Sequence, residues 1–286
     1  MFSRTVVATD LRPSSEGIIG CAGALATLGV REAWLVFAID PESGPSHDED
    51  AAFRHQVASL EACGIRVHGE TPLGYPAHEI VALAAEHAVG LIVMGTRGLG
   101  LYHTPLSGSV SSDVVRMSPV PVLLAPTIPL ADAQTGGATC ARLLASVLAP
   151  VDLTSAAERV CDLACSLAPK GIGRLELLTA VEVSPDAARE GREGRARDLL
   201  SALAAHARAA TACDVVSTIV RGNADEVVAQ FAASGRYTLV VLAPGCHDTI
   251  ESAFDSVTSA VMRSSSTPVV LAPPGCDTGL YPRGNT

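Results

Sequence analysis

Short uninterrupted runs of Val, Ile, Leu and Ala alternate along this chain with longer segments whose apolar residues recur every three or four positions. A continuous apolar run suits a strand buried on both faces, and such strands belong to parallel sheets covered by helices. In the first half the runs predict strands over 4–10, 33–39, 65–70, 90–95 and 120–125, and the periodic segments predict helices over 14–28, 48–63, 76–88 and 109–117. Pro76 suits the first turn of the third helix, and Ile80, Leu83 and Ala84 form its apolar stripe. The second half predicts strands over 143–151, 174–183, 214–220, 237–243 and 268–272, with helices over 155–168, 187–211, 223–234 and 256–264.

The two halves repeat one plan. The run from Thr5 to Asp10 is answered by the run from Leu143 to Asp152, each apolar and ending in an acid. Gly90 to Gly95 is answered by Tyr237 to Ala243, Ser109 to Arg116 by Ser256 to Arg263, and Pro121 to Pro126 by Pro268 to Pro273. The order and approximate spacing agree, which predicts two homologous domains, over 1–128 and 140–276. Pro129, Gly136 and Gly137 break any regular pattern between them. Each is expected to be a doubly wound α/β domain with a five-stranded parallel sheet.

The chain has 286 residues, of which 48% are apolar and only 3% aromatic, so the core must be built from aliphatic side chains. Its net charge of −10 argues against a nucleic-acid or anionic-membrane binder, which needs a basic face. No apolar run approaches the length of a membrane-spanning helix, and the start reads as a strand rather than a signal peptide. The eight cysteines are scattered without a C-x-x-C pair. Burial as small apolar residues in a reducing, cytoplasmic compartment is the expectation.

In an open parallel sheet, ligands sit beyond the carboxyl ends of the strands, where the strand order reverses. The stretch after the fourth strand is therefore the one to read for chemistry. Gly95 and Gly98 let backbone N–H groups approach a ligand, and Gly108 and Ser109 open a helix whose free N–H groups favour an anion. Ser109 and Ser111 add hydroxyl donors, and Arg97 suits a phosphate. A plain strand-to-helix loop capped by Ser109 uses the same residue types.

The spacing Gly95-x2-Gly98-x9-Gly108-Ser109 resembles the ATP-binding signature of the universal stress protein family. Leu91 to Gly98, Pro76 to Val81 and Val120 to Ala125 resemble its fourth strand, third helix start and last strand. The similarity covers both halves, as in a tandem member. It implies the adenine nucleotide alpha hydrolase-like fold, with the two domains packed as a pseudo-dimer. It also implies a cytoplasmic stress-response regulator that binds ATP, with or without Mg, and acts through an unidentified protein partner. By position it implies that Ala8 and Asp10 contact the adenosine, that Ala38 and Ile39 face the adenine, and that Met94 and Gly95 flank the nucleotide. Arg97, Gly98, Gly108, Ser109, Val110 and Ser111 match the phosphate-contacting stretch. Asp10 has an alternative role as a cap for the helix that follows it.

The second half departs from that signature. Ala243, Cys246 and Asp255 stand where the first half has Gly95, Gly98 and Gly108, and only Ser256 survives. A carboxylate at a helix start repels a phosphate, so this half is expected to be structural and to leave its site empty of ATP.

Other chemistries find little support. The single lysine, Lys170, is followed by Gly171, so there is no P-loop; His78 and Glu79 lack a histidine at position 82, so there is no H-E-x-x-H zinc site. The eight histidines show no metal-ligand spacing and are expected on surfaces and loops. His103 and Asp113 are the candidates for a hydrolytic base near the loop, which leaves a weak ATPase and a nucleotide-free scaffold as alternatives to a non-enzymatic ATP binder. The segment from Asp186 to Arg208 reads as a solvated helix face with i,i+4 pairs. The last strands of the two halves, 120–125 and 268–272, are apolar and lie at sheet edges, which is a liability unless they are covered. They are expected to pair with each other, antiparallel, within the chain. A further homodimer is compatible with this arrangement.

Overall fold

The computed structural model describes residues 2–12, 15, 18–19, 22–39, 47–96, 110–126, 142–154, 156–168, 171–182, 188–243 and 256–272. In the first half, strands β1 (Arg4–Ala8), β2 (Glu32–Val36), β3 (Arg66–Glu70), β4 (Leu91–Thr96) and β5 (Val122–Pro126) alternate with helices α1 (Ala22–Thr27), α2 (His47–Glu61), α3 (Pro76–Glu86) and α4 (Val110–Met117). In the second half, β6 (Ser146–Pro150), β7 (Arg174–Val181), β8 (Asp214–Arg221), β9 (Leu239–Leu242) and β10 (Val269–Leu271) alternate with α5 (Ala156–Leu167), α6 (Ala188–Ala210), α7 (Ala224–Ala232) and α8 (Ser256–Ser264).

The strands join in one sheet of order β3-β2-β1-β4-β5-β10-β9-β6-β7-β8. Every pair within a half is parallel. The junction of the halves is antiparallel, with Leu124 opposite Val269, Leu123 opposite Val270 and Val122 opposite Leu271. The expected internal pseudo-dimer is therefore present, and the apolar strand that would end each half is covered by its counterpart.

The two halves share their register as well as their order. Thr5 stands beside Leu91 as Val147 stands beside Leu239. Arg4 faces Glu32 as Ser146 faces Arg174, and Glu32 faces Arg66 as Arg174 faces Asp214. These pairings fix the residue-by-residue correspondence of the halves.

Because the strands are buried on both faces, the sheet divides the core into two aliphatic layers, each running through both halves. One joins α1 and α2 to α5 and α6 and includes Leu25, Leu35, Leu60, Leu163, Leu175 and Leu200. The other joins α3 and α4 to α7 and α8 and includes Ile80, Ile92, Leu124, Leu148, Val261 and Leu271. Each such side chain taken out of water contributes roughly 1.5–3 kcal/mol, which is how a chain so poor in aromatics holds together. α6 buries Ala196, Leu200, Leu203, Ala204 and Ala207 and leaves its charged face to solvent.

Two expectations need correction. β1 stops at Ala8 rather than residue 10, because Thr9 and Asp10 form a turn whose side chains accept from the N–H groups of Leu11 and Arg12. The histidines whose burial is described are exposed or part-exposed, as expected, and two of them, His68 and His87, stack on the buried Trp34, with ring centroids 5.0 and 4.4 Å away. The cysteines also divide: Cys161 and Cys165 are buried in α5, whereas Cys63 is exposed. Cys21, Cys140, Cys246 and Cys276 lie outside the described residues.

Candidate functional site

In the first half the strand order reverses between β1 and β4, since the chain builds β1, β2 and β3 in one direction and then returns to add β4 and β5 on the other side. The carboxyl ends of β1, β2 and β4 meet at this point. Ala8 ends β1, Ala38 and Ile39 follow β2, and Met94 and Gly95 lie near the end of β4. Val110 and Ser111 open α4. Ala8, Ile39 and Met94 are buried, while Asp10, Ala38, Gly95, Val110 and Ser111 are part-exposed. The remaining site residues, Arg97, Gly98, Gly108 and Ser109, lie outside the described residues, as does His103.

Local bonding explains how the ends are held. Thr9 N–H donates to Val36 O at 3.0 Å and Ile39 N–H to Pro72 O at 2.8 Å, which carries the sheet pattern past the strands. Leu11 then takes φ +55°, a left-handed conformation that costs a branched residue about 1–2 kcal/mol. That turn brings Asp10 Oδ1 to the N–H of Arg12 at 3.1 Å and to the hydroxyl of Ser15. Arg12 Nε lies 3.9 Å from Asp10 Oδ2. Asp10 therefore braces the loop after β1 at the mouth of the crevice.

Two features were not anticipated from the sequence. Gly74 and Gly222 occupy the same place in the two halves, just before α3 and α7, with φ +153° and +154°. A Cβ at Gly74 would come within 2.5 Å of Glu79 Oε1, and one at Gly222 within 2.8 Å of Val227 Cγ2. The turn thus needs glycine in both halves. The signal available was a glycine placed just ahead of each helix start. The second feature is a carboxylate network. Asp113, in the first turn of α4, accepts from Arg116 Nη2 at 2.6 Å and from the hydroxyl of Tyr75. The bond to Asp113 holds the Tyr75 phenol above its ordinary range, and partial burial adds to the effect. Asp113 is engaged by these two partners, which disfavours it as a hydrolytic base.

The second half has the same crevice between β6 and β9. There the structure contains a cavity of about 90 Å³. Its walls include Pro150, Asp152, Ala180, Leu242, Ala243, Val257 and Thr258. By the shared register these are the counterparts of Ala8, Asp10, Ala38, Met94, Gly95, Val110 and Ser111. Ser256, the counterpart of Ser109, donates its hydroxyl to Asp225 Oδ1 at 2.9 Å. A carboxylate from α7 thus meets the start of α8, where an anion would otherwise be favoured. Asp255 and Cys246 lie outside the described residues. No group of three or more metal-ligating side chains occurs among the described residues, and none of their helices is long and apolar enough to cross a membrane.

A model of the universal stress protein family matches the chain twice, over residues 1–126 and 145–273. The chain belongs to the universal stress protein family. Its tandem form agrees with a universal stress protein from Archaeoglobus fulgidus, whose crystal structure aligns with a TM-score of 0.71 at 21% identity. That alignment covers 94% of this chain and 96% of the other. Among curated relatives, universal stress protein MJ0531 of Methanocaldococcus jannaschii is 41% identical over 64 residues, and universal stress protein YxiE of Bacillus subtilis is 47% identical over 51. These alignments cover 22% and 18% of this chain and 38% and 34% of the relatives, so the chain spans little more than a third of the length of the curated relatives it matches.

Proposed function

We propose that this universal stress protein is a cytoplasmic ATP-binding regulator that takes one ATP, with or without Mg, in its first domain. The domains are residues 1–128, which bind, and 140–276, which support the fold and leave ATP unbound. The reading rests on the convergence of Ala8, Asp10, Ala38, Ile39, Met94, Gly95, Val110 and Ser111 around one reversal of strand order. The glycine spacing from Gly95 to Ser109 supplies the phosphate-binding stretch between β4 and α4. Arg97, Gly98, Gly108 and Ser109 hold the phosphates through one guanidinium and backbone N–H groups, while Ala38, Ile39 and Met94 contact the base.

Binding, rather than turnover, is the output. Asp113 is already tied to Tyr75 and Arg116, and among the described residues no second carboxylate or histidine partners it as a base. ATP acts as a ligand that biases the conformation or the partner surface of a stress-response protein. Gly98→Asp tests this, since it adds a Cβ and a negative charge where phosphate must approach. ATP binding should be lost while circular dichroism and the melting transition stay those of the parent. A Gly98→Asp protein that binds ATP like the parent would overturn the site assignment.

A further inference from the structure

Tyr75 stands at the entry to α3 but does not serve that helix. Its backbone is extended, Pro76 occupies the first turn, and its side chain makes no cap bond to α3. The segment that carries it is anchored to the crevice instead. Ile39 N–H donates to Pro72 O at 2.8 Å and Gly74 N–H to Ile39 O at 3.2 Å, which holds residues 72–74 against the end of β2. The half-exposed ring packs edge-on against His78, with centroids 5.2 Å apart. Its hydroxyl donates to Asp113 Oδ2 in the first turn of α4, while Arg116 Nη2 holds Oδ1 at 2.6 Å. A carboxylate in a helix's first turn competes with any anion that the helix start could hold. Here Arg116 answers its charge and Tyr75 draws it toward α3. Ser112, Val114 and Val115 are buried, so α4 is held by the core and by Tyr75.

The second domain keeps the backbone part of this device and lacks the side chains. Gly222 N–H donates to Val181 O at 3.0 Å, as Gly74 N–H does to Ile39 O. In the place of Tyr75 stands Asn223, whose side chain turns back onto its own helix and accepts from the N–H groups of Asp225 and Glu226 at 2.9 and 3.4 Å. In the place of Asp113 stands Ala260. The bond between α7 and α8 runs from Ser256 to Asp225 and occupies the hydroxyl at the helix start. The Tyr75–Asp113 bond meets α4 further in and calls on no hydroxyl there.

We infer that Tyr75 is a positioning residue for the phosphate end of the first crevice: by holding Asp113 it fixes the amino end of α4 relative to the end of β2. This role rests on the proposed binding of ATP in that crevice. The backbone beside Tyr75 is tied to Ile39, on the base side, and its hydroxyl is tied to α4, on the phosphate side. Tyr75 thus sets the span between the two, and small errors in such a span weaken a site strongly.

The test is calorimetric titration with ATP, joined to amide hydrogen exchange, on the full-length chain. Tyr75→Phe keeps the ring and removes only the donor. In the ligand-free variant, exchange at the Val114 and Val115 amides of α4 should speed up severalfold, while that at Val6 and Val7 in β1 stays as in the parent. ATP should bind about tenfold more weakly, as expected for a lost hydrogen bond to a charged group. In an Asp113→Ala background the same change should leave ATP affinity unaltered, because Tyr75 acts through Asp113. A contribution to general stability would weaken binding alike in both backgrounds. The role is overturned if exchange in α4 is unchanged, if Tyr75→Phe binds ATP like the parent, or if its effect is the same with and without Asp113. Gly98→Asp separates this from the proposed function. If the parent binds ATP and Gly98→Asp does not, an unaltered Tyr75→Phe refutes the positioning role alone; a parent that binds no ATP refutes both.

Discussion

If the β5–β10 pair makes the two halves one cooperative unit, then damage on one side of the junction must be felt on the other. Leu124 is the position for this test. It is 1% exposed, pairs with Met94 inside its own half and Val269 across the junction, and belongs to the core layer shared by both halves. Leu124→Ala removes three carbons. At about 0.8 kcal/mol for each buried methylene the transfer cost is roughly 2.4 kcal/mol, and the remaining void raises the total to about 3–4 kcal/mol. At roughly 2–4 °C per kcal/mol for chains of comparable size, the melting temperature should fall by about 6–16 °C. Trp34, the single tryptophan, lies in β2 and reports the first half by fluorescence. Far-UV circular dichroism reports both halves. The two signals should fall in one coincident transition in the parent and in Leu124→Ala. A variant in which Trp34 fluorescence melts early while a second dichroism transition stays at the parental temperature would refute the shared-core reasoning.

Two further outcomes follow from buried aromatic side chains. Tyr237 is 5% exposed and donates to Glu176 Oε2 at 2.9 Å; burial first, and then this bond, push its phenol up to about 12. A phenol protected in the fold ionises earlier in the unfolded chain, so its stabilisation is whole below about pH 10 and is lost as pH rises toward about 12. Tyr237→Phe should cost about 1–3 kcal/mol at neutral pH, and in alkaline denaturation it should show a shallower loss between those limits; an unchanged slope would contradict the assignment. His87 stacks on the buried Trp34 with ring centroids 4.4 Å apart, so His87→Leu should alter tryptophan emission at neutral pH; an emission spectrum identical to the parent's would remove the stack as an influence on Trp34.

The sheet was legible because its strands are continuous aliphatic runs bounded by Gly, Pro and Asp, a pattern that buried parallel strands alone require. The tandem plan and the β5–β10 junction followed from the same runs. Short-range turns were less legible. Leu143 and Leu144 look like strand residues, yet they form a buried turn before β6, where Gly173 N–H donates to Leu144 O. Contacts between distant segments were hidden altogether. The Trp34 stack joins residues from β2, β3 and the end of α3, and the Ser256–Asp225 bond joins α8 to α7. Sequence comparison of the halves found the acid at Asp255 but not the one at Asp225, because its effect on the α8 entry depends on how two helices pack. The crevice residues Ala8, Asp10, Ala38, Met94 and Gly95 were named through the resemblance to the family, and they lie at or near strand ends, which are fixed by topology rather than by side-chain packing.

Isothermal titration of the wild-type chain with ATP tests the central claim most directly. The second domain has a carboxylate at the entry to α8, and like charge at a partly buried helix end costs roughly 0.3–2 kcal/mol before other repulsion is added. The titration should therefore saturate at one ATP per chain and vanish in Gly98→Asp. Two equivalent sites per chain, or a single site that survives Gly98→Asp, would contradict the account.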